Sequence, residues 1–219
     1  MFDFKNKKIL VLSPHTDDGE IACGGTIAKM NDTGGGSEIH WAIFSTCEES
    51  VPEGFPKNAL ETESRAATKF LGVKPENLTI FHYPVRRFSE HRQDILEDMV
   101  KINRRVHPDL VFLPSEGDIH QDHHVIACEG KRAFKKTNML AYEEVWNDFH
   151  SDTTFLIALE KQHVEAKIAA LNFYESQKAI RNYVTDEFIE SWARVRGVQM
   201  AQPNVQFAEA FSVIRLLAI

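Results

Sequence analysis

A chain of 219 residues suits one α/β core better than two domains, and the whole of 1–219 reads as a single domain. The hydrophobic share of 43% and charged share of 26% are those of a soluble globular protein and argue against disorder, collagen and coiled coil. A net charge of −7, spread along the chain, lacks the basic stripe that nucleic-acid binding calls for.

The start, Met1-Phe2-Asp3-Phe4, leads straight into a strand-like run, so no signal peptide is read there and a cytoplasmic location is expected. No apolar run approaches the roughly 20 residues that span a bilayer. Cys23, Cys47 and Cys128 lack the paired spacing of a disulfide framework. The short basic runs at 5–8 and 131–136 fit a solvated strand edge or helix end.

In chain order, the β-branched apolar runs at 8–13 (KILVLS), 38–46, 78–83 and 109–114 (DLVFLP) are expected strands, with 155–159 and 211–217 as later candidates. Near-continuous apolarity suits strands buried on both faces of a parallel sheet. Helical spacing marks 20–30, 60–71, 92–107, 123–134, 160–174 and 186–195. Gly34-Gly35-Gly36, Gly72 and His107-Pro108 punctuate the first three helices. The alternation predicts a three-layer α/β/α sandwich, Rossmann-like, on a mostly parallel sheet. The unpatterned stretches 47–58, 138–153 and 197–206 are expected loops, of a length that often forms lids or pocket walls.

Two clusters carry chemistry. Ser13-Pro14-His15-Thr16-Asp17-Asp18-Gly19-Glu20 follows the first strand, and Asp118-Ile119-His120-Gln121-Asp122-His123-His124 follows the fourth. Both stand at a strand's carboxyl end, where open α/β sheets bind ligands. Asp17, Asp18 or Asp122 could each do no more than cap a helix. Adjacent carboxylates repel unless a cation compensates them, however, and two such clusters in one small domain favour a shared site. Imidazole and carboxylate without cysteine suit a catalytic zinc held by two histidines and one carboxylate. A second carboxylate could serve as general base and an outlying histidine as oxyanion stabiliser or acid. Iron(II) or another divalent metal would accept the same donors.

These residues resemble the PIG-L/LmbE-like family of N-acetylglucosaminyl deacetylases. The first hallmark stands as His15-Thr16-Asp17-Asp18 with Gly24-Gly25-Thr26-Ile27, and the second as His120-Gln121-Asp122-His123. Glu63, Ala66-Ala67, Leu71-Gly72-Val73, Ser176-Gln177 and Ala208-Glu209-Ala210-Phe211 extend the likeness over nearly the whole chain. The resemblance implies zinc on His15, Asp18 and His123, with Asp17 as the base that activates the attacking water. It gives His120 the intermediate or the leaving group, and Asp122 the task of orienting and tuning His120. The implied substrate is a small N-acetylated amino sugar, and a homo-oligomer is compatible with the family. Thr16 replaces the usual proline, and Leu60 stands where many members carry a sugar-contacting arginine. That contact is expected instead of Arg86 or Arg87, which could equally be solvated loop residues. Tyr142, Trp146 and His150 are expected either to wall the pocket or simply to pack, and Glu20 to lie near the metal or to serve the first helical turn.

Three other functions are open to such a sequence: an amidase acting on another acylated amine or a thiol conjugate, a non-catalytic metal- or sugar-binding module, and a dinucleotide-binding domain. The last lacks the fingerprint G-x-G-x-x-G, and a His-Asp-Asp turn would repel pyrophosphate without a metal.

Overall fold

Alternation within the first strand organises the molecule. The structure is a computed structural model that describes residues 4–218 except Thr33, Gly35, His150 and Ser151. In β1 (Lys8–Ser13) every residue after Lys8 is buried. Ile9 and Val11 enter one hydrophobic cluster and Leu10 and Leu12 another, because successive side chains leave a strand on opposite faces. The first cluster is covered by α1 (Asp18–Asp32), α2 (Ala59–Phe70), α5 (Lys161–Leu171) and α7 (Asp186–Gln199). The second is covered by α3 (Arg92–Val106) and α4 (Gln121–Ala133). This is the expected three-layer α/β/α sandwich.

The remaining strands are β2 (Glu38–Ile43), β3 (Leu78–Ile80), β4 (Leu110–Pro114), β5 (Asn138–Tyr142), β6 (Phe155–Leu159) and β7 (Phe207–Arg215), and a short α6 spans Glu175–Lys178. The sheet order is β3-β2-β1-β4-β5-β7-β6. All neighbours are parallel except β7, which runs antiparallel to both β5 and β6. The chain builds outward from β1 through β2 to β3, then returns to β4 on the other side. The reversal opens a crevice at the carboxyl ends of β1 and β4, between the two sequence clusters.

Several boundaries differ from the sequence reading. The expected loop over 138–153 contains β5, whose NMLAY has no β-branched residue and is held by pairing with β4 and β7. The expected helix over 160–174 ends at Leu171 and resumes as α6. The last strand begins at Phe207, earlier than the expected 211, because Glu209 is neutralised inside the fold. Its carboxylate accepts from Lys167 Nζ (2.7 Å), Gly25 N (2.9 Å) and Thr26 N (2.7 Å). Among the described residues no helix is long and apolar enough to cross a membrane.

Candidate active site

The turn from β1 into α1 is pinned from three sides. Trp41 Nε1 donates to Ser13 Oγ at 2.8 Å. The Tyr174 hydroxyl lies 2.5 Å from the Thr16 carbonyl oxygen and 2.9 Å from Glu20 Oε1. Gly19 permits the close approach, since a Cβ there would lie 2.4 Å from both Ser13 Oγ and Trp41 Cζ2. Glu20 therefore supports the turn through Tyr174, and the partner of Glu20 comes from the far end of the chain.

His15 Nδ1, Asp18 Oδ2 and His123 Nε2 form a triangle whose three edges are each 3.2 Å. Ligands about 2.0–2.1 Å from a tetrahedral zinc lie about 3.3–3.4 Å apart, so the triangle fits one face of such a site. The other nitrogen of each imidazole is held by a carboxylate: His15 Nε2 by Asp122 Oδ2 at 3.0 Å and His123 Nδ1 by Asp118 Oδ2 at 2.7 Å. Carboxylate partners of this kind fix the tautomer and ring orientation of metal-binding histidines. Two further triads among the described residues, His15-His120-His123 and Asp18-His123-Glu144, also bring donor atoms close enough for a metal.

His120 occupies the N-cap of α4, and its Nδ1 accepts from the Asp122 backbone N–H at 3.2 Å. Helix capping, the alternative role open to Asp122, is thus supplied by His120. An accepting Nδ1 places the imidazole proton on Nε2. Burial, with the charges of His15 and His123, lowers the pKa of His120 to about 4, so the ring is neutral near pH 7. The orienting contact expected of Asp122 falls elsewhere: its carboxylate holds His15 and also accepts from Arg86 N (2.5 Å) and Phe88 N (3.2 Å), while it acts on His120 through its charge and its backbone N–H. His124 points away from the site, toward Cys128.

The electrostatics separate the two adjacent aspartates. Burial and the Asp18 charge raise Asp17 to about 6, against the pull of His15 and Arg181. Burial pushes Asp18 up as well, but His123 and His15 outweigh it and hold Asp18 well below the usual carboxylate range. One carboxylate is thereby suited to ligation and its neighbour to proton transfer near neutrality.

A cavity of about 370 Å³ opens over this constellation, lined by His15, Asp17, Asp18, His120 and His123. Its outer walls include Leu60, Arg86, Trp146, Gln177, Arg181 and Tyr183. Arg86, at φ 66°, reaches Ser50 Oγ with Nη2 at 3.1 Å. Two expected contacts do not reach the cavity. Arg87 is 61% exposed and paired with Glu90 instead. Tyr142, on β5, is buried in the core and donates its hydroxyl to the Leu12 carbonyl at 2.8 Å. Trp146 is a wall, stacked on Tyr183 at 4.1 Å between ring centroids, whereas His150 lies outside the described residues.

The sequence reading missed Glu144, Gln177, Arg181 and Tyr183 as cavity residues and assigned no role to Asp118. Asp118 was visible as part of a dense donor cluster, Gln177 as part of the Ser176-Gln177 pair that resembles the family, and Glu144 only as a member of a candidate wall loop. Arg181 and Tyr183 lie where the chain folds back from a distant segment and carry no local signal.

The diacetylchitobiose deacetylase of Thermococcus kodakarensis is 28% identical over 191 residues, covering 82% of this chain and 63% of that protein. The chain thus spans less than two thirds of that relative's length. The fold is shared with the N,N'-diacetylchitobiose deacetylase of Pyrococcus horikoshii at a TM-score of 0.78 and 21% identity, covering 97% of this chain and 87% of that one. It is also shared with the 4-carboxy-2-hydroxymuconate hydratase of Pseudomonas putida KT2440 at a TM-score of 0.74 and 19% identity, covering 97% and 98%. The family described as PIG-L, GlcNAc-PI de-N-acetylase, matches residues 10–134, the stretch from β1 to the end of α4 that carries both clusters, and the chain belongs to it.

Proposed function

We propose that this chain is a metal-dependent N-deacetylase that hydrolyses the acetamide of an N-acetylglucosamine-type amino sugar or its conjugate. The observation that carries the reading is the 3.2 Å triangle of His15, Asp18 and His123 with the buried carboxyl of Asp17 beside it. Zinc is the metal the donor set suits best, held by those three residues, and it would supply Lewis-acid polarisation of the reacting oxygens. Asp17 takes a proton from the attacking water and returns it to the departing amine, which leaves acetate and a free amino sugar. His120, with its proton on Nε2, donates to the carbonyl oxygen as negative charge develops there. Asp118 and Asp122 keep His123 and His15 from rotating, so the donors are preorganised.

The cavity volume of about 370 Å³ accommodates a monosaccharide-sized group, with the aromatic and arginine walls left for whatever the sugar is attached to. The deacetylase activity named for the Thermococcus relative supports the substrate class. The hydratase of the same fold shows why the reaction has to be tested directly. The test is acetate release from a panel of N-acetylated sugars, free and conjugated, with zinc-loaded and chelator-stripped protein. Metal-dependent release is expected. Zinc binding without release from any member would sink the amino-sugar reading and turn attention to other acylated amines, thiol conjugates among them, or to a binding role.

A further inference from the structure

One buried carboxyl oxygen of a residue that lines the cavity has no hydrogen-bond partner among the described residues. Glu144, two residues beyond β5, lines the cavity with a side chain only 2% exposed. Its Oε2 accepts from Asn147 Nδ2 at 3.3 Å and lies 3.8 Å from His123 Nδ1. Its Oε1 has no hydrogen-bond partner among the described residues. A stranded buried acceptor is costly, and a ligand that completes it is one reason for such a group to persist.

The roles near Glu144 are otherwise filled. Asp118 already holds His123 Nδ1 at 2.7 Å, the donor triangle closes without Glu144, and Asp17 is the base. A donor atom of Glu144 nevertheless lies within 4.8 Å of donor atoms of both Asp18 and His123. The substituents nearest a reacting amide held at these donors are those on the carbons flanking the one that bears the acylamino nitrogen. In an amino sugar those substituents are oxygens.

We propose that Glu144 is a specificity residue whose Oε1 accepts a hydrogen bond from a substrate hydroxyl vicinal to the acylamino group. The substrate class narrows to N-acyl vicinal amino alcohols with that hydroxyl free, and excludes simple N-acyl amines and sugars substituted there. This rests on the deacetylase reading. A site built to bond a hydroxyl discriminates strongly against the analogue lacking it, since the buried acceptor is then left bare.

The test compares the best N-acetylated substrate of the panel with its deoxy analogue at each free vicinal carbon. Zinc-loaded wild type, Glu144→Ala and Glu144→Gln are assayed, with zinc content and melting temperature measured alongside. Wild type is expected to lose on the order of 100-fold in kcat/KM on one deoxy analogue. Glu144→Ala should fall to that low level on both substrates, with zinc retained, and Glu144→Gln, which keeps an acceptor oxygen, should recover part of the preference. Wild type treating the pair alike, or full discrimination surviving in the alanine variant, would overturn the proposal alone. Loss of zinc from both variants would overturn it too, by making Glu144 a ligand. If wild type hydrolysed no N-acetylated sugar, the deacetylase reading would fall first and the proposal with it.

Discussion

Replacing Asp118 by asparagine tests the donor triangle through a residue outside it. Asp118 Oδ1 accepts the His120 backbone N–H at 2.7 Å, and Oδ2 faces His123 Nδ1 at 2.7 Å. An amide presents one acceptor and one donor where the carboxylate presents two acceptors. If the amide oxygen keeps the His120 bond, its NH₂ faces His123 Nδ1 and drives the imidazole proton onto Nε2, the nitrogen in the triangle. If the amide flips, two N–H groups confront each other at His120. In the first case zinc can take Nε2 only by returning the proton to Nδ1 and breaking the reversed bond. In the second the bond at His120 is already lost, so the zinc-bound state lacks one buried hydrogen bond either way, at a cost of about 1–3 kcal/mol. Zinc affinity is therefore expected to fall about 10- to 100-fold, the range for losing an outer-sphere partner. Competition against a chromophoric chelator at fixed pH measures this directly, with the melting temperature of the metal-free protein reporting on the fold. A variant that folds normally and binds zinc within twofold of the parent would refute the assignment of His123 Nε2 as ligand atom and Asp118 as its orienting partner.

Asp17→Asn should bind zinc with parental stoichiometry yet lose about 10²–10⁴-fold in kcat; near-normal turnover would remove Asp17 as general base. In metal-free protein the Asp17 carboxyl should titrate at about 6, protonated below and ionised above, raised by burial and the Asp18 charge. Zinc, adding positive charge, should shift it downward; carboxyl-carbon NMR reads both, and an ordinary titration near 4 would contradict the electrostatic account. Lys167→Met leaves Glu209 buried with only the Gly25 and Thr26 amides as donors. A loss of about 3 kcal/mol is expected from breaking that pair. At this chain length it should lower Tm by roughly 6–12 °C, and an unchanged Tm in differential scanning calorimetry would show that the amides alone neutralise Glu209.

Much of the site was legible locally because its chemistry is concentrated in two short turns. His15, Asp17 and Asp18 fall within four residues, and Asp118, His120, Asp122 and His123 within six, each directly after an apolar strand. Strand–helix alternation and right-handed crossover then place both turns at one end of a sheet, so architecture and donor set follow from patterns a few residues long. Only the tertiary structure decided which donors meet and in what order of contact. Asp122, read as the partner of His120, instead reaches back to His15 because β1 and β4 are neighbours in the sheet. For Tyr142, read as a loop aromatic that either walls the pocket or packs, packing decides: it is drawn into the core because β5 pairs on both sides and its hydroxyl finds the Leu12 carbonyl. Glu144, Gln177 and Arg181 enter the cavity from segments far along the chain from its first motif. Periodicity and capping are properties of neighbouring residues and can be read along the chain. The pairing of a buried charge with its partner depends on which distant segments close over it, and that is settled only when the whole core is packed.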